Sequence, residues 1–161
     1  YPLPEAQLDR FLFKLMVDYP EGKAEKQMLL NSQAGLQTKR LDLAKLKPVM
    51  PVQGILAGRQ AVQKVQVTDG LVDYLLALVQ RSRQHPDLAL GASPRSAVAW
   101  LQASKAHAWL NHRDFATPDD IKAVAPSILR HRLILRPEAQ LDGLQVEAVI
   151  GSLLGQVPVP R

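Results

Sequence analysis

The alternation of apolar and polar positions changes character several times along the chain. Phe11 to Val17 is apolar except for Lys14 and is bounded by Asp18-Tyr19-Pro20. A nearly continuous apolar run of that length predicts a strand covered on both faces, as in a parallel sheet. Its partners are expected upstream of Tyr1. Pro4 is placed to open a short helix through Arg10. From Glu21 the spacing becomes helical, with a predicted helix over Lys23 to Gln33 that ends near Gly35. Residues 36–53 hold two prolines and four Lys or Arg and read as a loop with at most one helical turn. Gly54 to Lys64 reads as a helix, and Val65 to Val67 as a connector.

The second half is patterned more strongly. Thr68 is a suitable N-cap, with Asp69 in the first turn. Leu71, Leu75 and Leu78, with Val72, Leu76 and Val79, recur at helical spacing as far as Arg83. The segment 84–93 predicts a loop. A long helix follows from Pro94 to about Leu110, with Ser93 as its cap. Its alanines at 97, 99, 103, 106 and 108 would let a neighbouring helix approach closely. Thr117-Pro118-Asp119-Asp120 is another start signal, with an acidic residue three after the cap. Ile121, Val124, Ala125 and Ile128 then share a face, and Pro126 predicts a break or kink. A short extended piece is expected near Leu133 to Leu135, and a last helix from about Gln145 to Leu154. The hexapeptide Pro-Glu-Ala-Gln-Leu-Asp occurs at 4–9 and again at 137–142. Their flanks differ, so the match reads as coincidence and not as a structural repeat.

Composition adds limits. The 161 residues are 47% hydrophobic and 22% charged, the profile of a globular domain. Aromatics are only 5%, so the core should be built from Leu, Val, Ile and Ala. There is no cysteine, which removes disulfides, thiolate metal sites and cysteine nucleophiles. No apolar run reaches membrane-spanning length and no signal peptide opens the chain, so a cytoplasmic location is expected. The first residue is Tyr1, in what reads as the middle of a domain, so the chain is expected to be a piece of a longer protein.

Several kinds of chemistry are missing. No Gly-rich phosphate loop ending in Gly-Lys-Ser/Thr occurs, and no apolar strand ends in the acidic pair that would hold a nucleotide's magnesium. His85, His107, His112 and His131 lack metal-ligand spacing, so no metal site is expected. By itself the chain is expected to be inactive. The net charge of +5 is mild. Lys39, Arg40, Lys45 and Lys47 form one basic cluster, and Arg130, His131, Arg132 and Arg136 another. Each reads either as a solvated surface or as a contact for an acidic partner or nucleic acid.

Residues 1–20, with "PLPEAQLDRF", resemble the end of the ATPase core of MoxR-type AAA+ proteins. The stretch from "GASPR" through "TPDDIKAVAPSILRHRLIL" resembles the second half of that family's helical lid. The fold the resemblance implies is mainly α, a helical-bundle lid over 21–161 preceded by a helix-strand remnant of the α/β core over 1–20. It also implies a ring, usually of six subunits, with ATP and magnesium at subunit junctions. Such rings are chaperone-like and mature other complexes, often beside proteins with a von Willebrand factor A domain.

Two arginines are carried over by position. Arg95, in "GASPR", matches the sensor 2 arginine that contacts nucleotide. Arg10, in "LDRF", matches the arginine finger that reaches the neighbouring subunit's ATP, a catalytic role. Arginine suits both tasks, because it stays charged and presents a planar fork to phosphate oxygens. "NHRDF" departs from the family where a glycine-containing turn would precede "TPDD". A stand-alone basic helical module binding nucleic acid or an acidic protein is the alternative. Without the rest of their sheet, residues 1–20 are expected to pack onto the lid or to contact another copy.

Overall fold

A computed structural model describes residues 3–35 and 47–160. The basic cluster at Lys39, Arg40 and Lys45 lies outside the described residues. Two compact units are present, one formed by residues 1–15 with 57–161 and the other by 16–56. The smaller unit contains α2 (Gly22–Gln33), a helix with no buried residue, which stops at Gly35 in the left-handed region (φ 82°). A third helix, α3 (Val52–Lys64), begins in this unit and ends in the larger one.

The larger unit is built on α4 (Asp69–Arg83), α5 (Pro94–Leu110), α6 (Pro118–Leu129) and α8 (Val146–Gln156). The starts of α4, α5 and α6 follow their sequence signals. Thr68 Oγ1 accepts from the Leu71 amide, and Ser93 and Ser96 form a reciprocal capping box with Pro94 at the first helical position. At α6 the Thr117 amide donates to the Asp120 carboxylate three residues on, at 2.7 Å. These caps satisfy backbone donors that a helix start leaves orphaned, each worth about 1 kcal/mol.

The core lies between these helices. Leu71, Leu75, Leu78 and Val79 of α4 meet Trp100 and Ala103 of α5, Ile121, Ala125 and Ile128 of α6, and Val149, Ile150 and Leu153 of α8. Only one of the two expected stripes on α4 is fully used: Val72 and Leu76 remain exposed, and Tyr74 is buried instead. The alanine-rich face of α5 does allow close approach, since α5 and α6 share the most extensive helix contact. Trp100 sits in that seam and donates from Nε1 to the Ile121 carbonyl at 2.8 Å.

Three expectations are corrected. The segment 84–93 is not wholly loop: β1 (Leu88–Leu90) pairs antiparallel with β2 (Ile134–Leu135). The partner that extends it lies more than forty residues away, so no local pattern could show it. Pro126 does not break α6, which continues to Leu129. Burial of Ile128 and Leu129 holds the turn after the proline against its missing donor. Phe11 to Val17 forms no strand. A strand needs a ladder, and among the described residues the one backbone–backbone bond that crosses from this segment runs from the Lys14 amide to the Ser127 carbonyl at 2.9 Å.

The "NHRDF" turn is closed by His112, which takes φ 59° in the place where a glycine is expected after a helix. The Arg113 amide returns to the Ala108 carbonyl and completes the turn. No helix among the described residues is long and apolar enough to cross a membrane.

Candidate functional site

The segment Gly91-Ala92-Ser93-Pro94-Arg95 joins β1 to α5, and its first four residues are committed to the fold. A Cβ at Gly91 would lie 2.7 Å from backbone atoms of Ser82 and Arg83, so only glycine passes. Ala92 is buried; its amide donates to Ser82 Oγ and its carbonyl accepts from Arg83 Nε at 2.8 Å. Ser93 caps and Pro94 opens α5. Arg95 differs from them all. It is exposed, and among the described residues its guanidinium has no hydrogen bond or ion pair. A free cation in the first turn of a helix is unfavourable by about 0.3–1 kcal/mol.

An acidic group does sit at that helix start. α1 (Glu5–Leu8) is a single turn, and Asp9 follows it. The Asp9 carboxylate accepts from Ser93 Oγ at 3.1 Å and from Ser96 Oγ at 3.1 Å. Arg132 Nε donates to the same carboxylate at 3.0 Å. Arg132 is only 5% exposed, and its other nitrogens donate to the carbonyls of Asp9, Phe11, Leu12 and Ile128. Partial burial alone would raise the Asp9 carboxyl, but the bonds from Ser93, Arg132 and Ser96 outweigh it and hold it below the usual carboxylate range.

These groups border a cleft of about 490 Å³, lined by Glu5, Asp9, Arg83, Ser96, His131 and Arg132 among others. His131 Nε2 donates to the Phe11 carbonyl at 2.9 Å, and its Nδ1 is buried without a partner. Burial pushes the His131 imidazole below its ordinary value; Arg132 and Lys14 push the same way, against the pull of the Phe11 carbonyl and Asp9.

Arg10 lies one residue beyond Asp9. Its side chain is exposed beside Leu3, Gln7 and Phe11 and has no ion pair among the described residues. The structure therefore does not join Arg10 and Arg95 directly. It joins their neighbours, Asp9 to Ser93 and Ser96. Sequence reasoning missed this junction. It placed Arg132 in an exposed basic cluster, whereas the side chain is buried and spent on Asp9 and four carbonyls. Arg130 of the same cluster pairs with Glu147 at 3.5 Å. An arginine two residues from another and next to a histidine gives no local sign of a carboxylate partner 123 residues away.

A second carboxylate cluster is structural. Asp120 is fully buried and accepts from both terminal nitrogens of Arg113, from His107 Nδ1 at 2.7 Å, and from the Thr117 amide and hydroxyl. Burial would raise its carboxyl; the bonds from Arg113, His107 and Thr117 outweigh that and hold it far below the usual range. The group seals the α5–α6 turn and every acceptor position is used, which leaves nothing for a ligand.

The AAA lid domain family matches residues 80–153. The chain is 43% identical over 99% of its length to YeaC of Bacillus subtilis, of which it covers 48%. It is 33% identical over its whole length to the chaperone MoxR1 of Mycobacterium tuberculosis, covering 43% of that protein. A solved structure of a candidate ATPase from Cytophaga hutchinsonii superposes with a TM-score of 0.85 at 30% identity, over all of this chain and 50% of the other. The chain thus spans about half the length of the relatives it matches.

Proposed function

This chain belongs to the MoxR-type AAA+ proteins and carries their lid domain, and on that premise we propose that it lends two arginines to ATP hydrolysis in a chaperone-like ring. Arg95 is the sensor arginine that contacts the nucleotide's phosphates. Arg10 is the finger that reaches the ATP of an adjoining subunit. The observation that carries this reading is the division of labour in residues 91–95. The other four residues are taken up by close approach, packing, capping and helix initiation, and Arg95 is the one charged side chain among the five, exposed and without a hydrogen bond or ion pair among the described residues.

Physical chemistry supports the pairing of an arginine with a helix start. The positive end of the α5 dipole and the guanidinium lie together, and a phosphate is an anion that fits both. In the absence of phosphate the arrangement costs a little stability, which the Asp9 carboxylate at the same helix end partly offsets. ATP with magnesium is the substrate. The phosphate-cradling loop is not in this sequence, so Arg95 and Arg10 complete a site whose remaining groups come from an ATPase core. Maturation of other protein complexes, a six-membered ring and a von Willebrand factor A partner are the wider expectations of this reading.

The test uses the protein with its ATPase core. Arg95→Ala is expected to weaken nucleotide affinity and turnover, and Arg10→Ala to lower turnover by about 10³-fold or more, the scale of other trans-acting arginines. ATP turnover by a coupled assay and binding of a fluorescent nucleotide separate the two effects. Wild-type turnover in both variants rules the reading out.

A further inference from the structure

One buried side chain organises the backbone on both sides of Arg10. Arg132 donates to the carbonyls of Asp9, Phe11 and Leu12 and, through Nε, to the Asp9 carboxylate. It is itself anchored to α6 through the Ile128 carbonyl at 2.6 Å. Among the described residues the Arg10 side chain has no ion pair, while the chain that carries it is fixed. The same carboxylate reaches the residues on both sides of Arg95, accepting from Ser93 Oγ and Ser96 Oγ. Arg95 too has no ion pair among the described residues and is fixed in its backbone. Asp9 and Arg132 therefore link the two exposed arginines: Arg132 holds the carbonyls of Asp9, Phe11 and Leu12, which flank Arg10, and the Asp9 carboxylate holds the first turn of α5.

A latch that only stabilised the fold would not need this placement. The charge of Asp9 could be met by Arg132 alone. It is divided instead between Arg132 and two serines that already satisfy each other in a capping box. Each added bond ties residues 9–12 to the one helical turn that carries Arg95.

We propose that Asp9 and Arg132 are positioning residues that hold Arg10 and Arg95 at a fixed separation, so that residues 3–12 and the first turn of α5 act on nucleotide as one rigid element. This rests on the nucleotide roles of the two arginines proposed above. It adds that movement of the lid on binding nucleotide at Arg95 is passed directly to Arg10.

The test is a double-mutant cycle in the protein with its ATPase core. Asp9→Asn keeps the shape and one acceptor but removes the charge. It is expected to lower ATP turnover about 10- to 100-fold, the scale of a misplaced catalytic group. Affinity for a fluorescent ATP analogue should stay within about twofold, because a misplaced Arg10 weakens the transition state and leaves ground-state binding intact. The double variant Asp9→Asn/Arg10→Ala should be no slower than Arg10→Ala alone, since residues that act as a unit are not additive. Arg132→Lys, which keeps the charge but loses the fork, is the second variant, expected to show a smaller loss of the same kind; it replaces Asp9→Asn should that variant fail to fold. Normal turnover in the folded variants, or losses that multiply in the double variant, overturns the proposal and leaves the roles of Arg10 and Arg95 standing. Wild-type turnover in Arg10→Ala alone removes the finger role first, and the proposal with it.

Discussion

The hexapeptide Pro-Glu-Ala-Gln-Leu-Asp folds twice in this molecule, at 4–9 and at 137–142, and the two copies do different work. Locally they agree. Each makes a single helical turn, α1 at Glu5–Leu8 and α7 at Pro137–Leu141, entered from a residue with φ near −60° and ψ near 150°. Each ends with the aspartate amide bonded to the glutamate carbonyl four residues earlier. In space they are opposites. In the second copy Ala139 is buried at 8% exposure, while Leu141 is 88% exposed and Asp142 faces solvent. In the first copy Ala6 is exposed, and Asp9 is the residue held by Ser93, Ser96 and Arg132. The sequence motif specifies a turn. What the turn is for depends on which of its side chains meets a partner.

The contrast can be broken at its strongest point first. Ala139→Glu places a charge where only a methyl group fits, and is expected to cost about 3 kcal/mol or more; Ala6→Glu should stay within about 0.5 kcal/mol. Urea unfolding midpoints of the two variants measure the difference.

Asp9→Ala is next. It leaves the buried Arg132 without its carboxylate, and because the Asp9 side chain is 25% exposed the expected loss is about 2 kcal/mol. Release of residues 3–12, which lets Arg132 reach water, caps that loss. Asp142→Ala should be nearly neutral. The Asp9 effect carries a pH signature. Its carboxyl is held below the ordinary value in the folded state, so its contribution is complete above about pH 4 and fades as pH falls further. Wild type and Asp9→Ala should therefore converge on acidification. Limited proteolysis within residues 10–20 at pH 7 and at pH 3 follows the release of the segment directly.

The smallest effect concerns the exits from the two copies. Gly143 follows the second with φ 79° and open space around it, so Gly143→Ala meets no clash but carries the cost of the left-handed region, about 1 kcal/mol. Thermal unfolding detects it. The first copy exits through Arg10, which lies outside that region, so backbone conformation places no such demand there.

Much of the fold was legible. Thr68, Ser93 and Thr117 announced three helices because capping is a local transaction between a side chain and amides two or three residues on. The buried stripe of α4 and the alanines of α5 followed from helical spacing. The long-range pairings were not legible. The β1–β2 ladder, the burial of Tyr74 over Val72 and Leu76, and the survival of α6 through Pro126 all depend on neighbours remote in the chain. The site divides in the same way. Arg95 at the start of α5 could be placed from Ser93 and Pro94. The Asp9–Arg132 pair could not, since 123 residues separate its members and Arg132 reads locally as one more surface cation.

The sequence by itself determined where helices begin, which of their faces are apolar and which motif carries a cation at a helix start. These are set by interactions within about one turn, where spacing fixes geometry. Only the tertiary structure decided that Gly91 must pass the backbone of α4, that Arg132 is buried, and that Asp9 rather than its twin Asp142 closes the start of α5. A carboxylate becomes a latch through desolvation and three convergent donors, and donors drawn from the start of α5 and from a buried arginine beyond α6 are brought together only by packing.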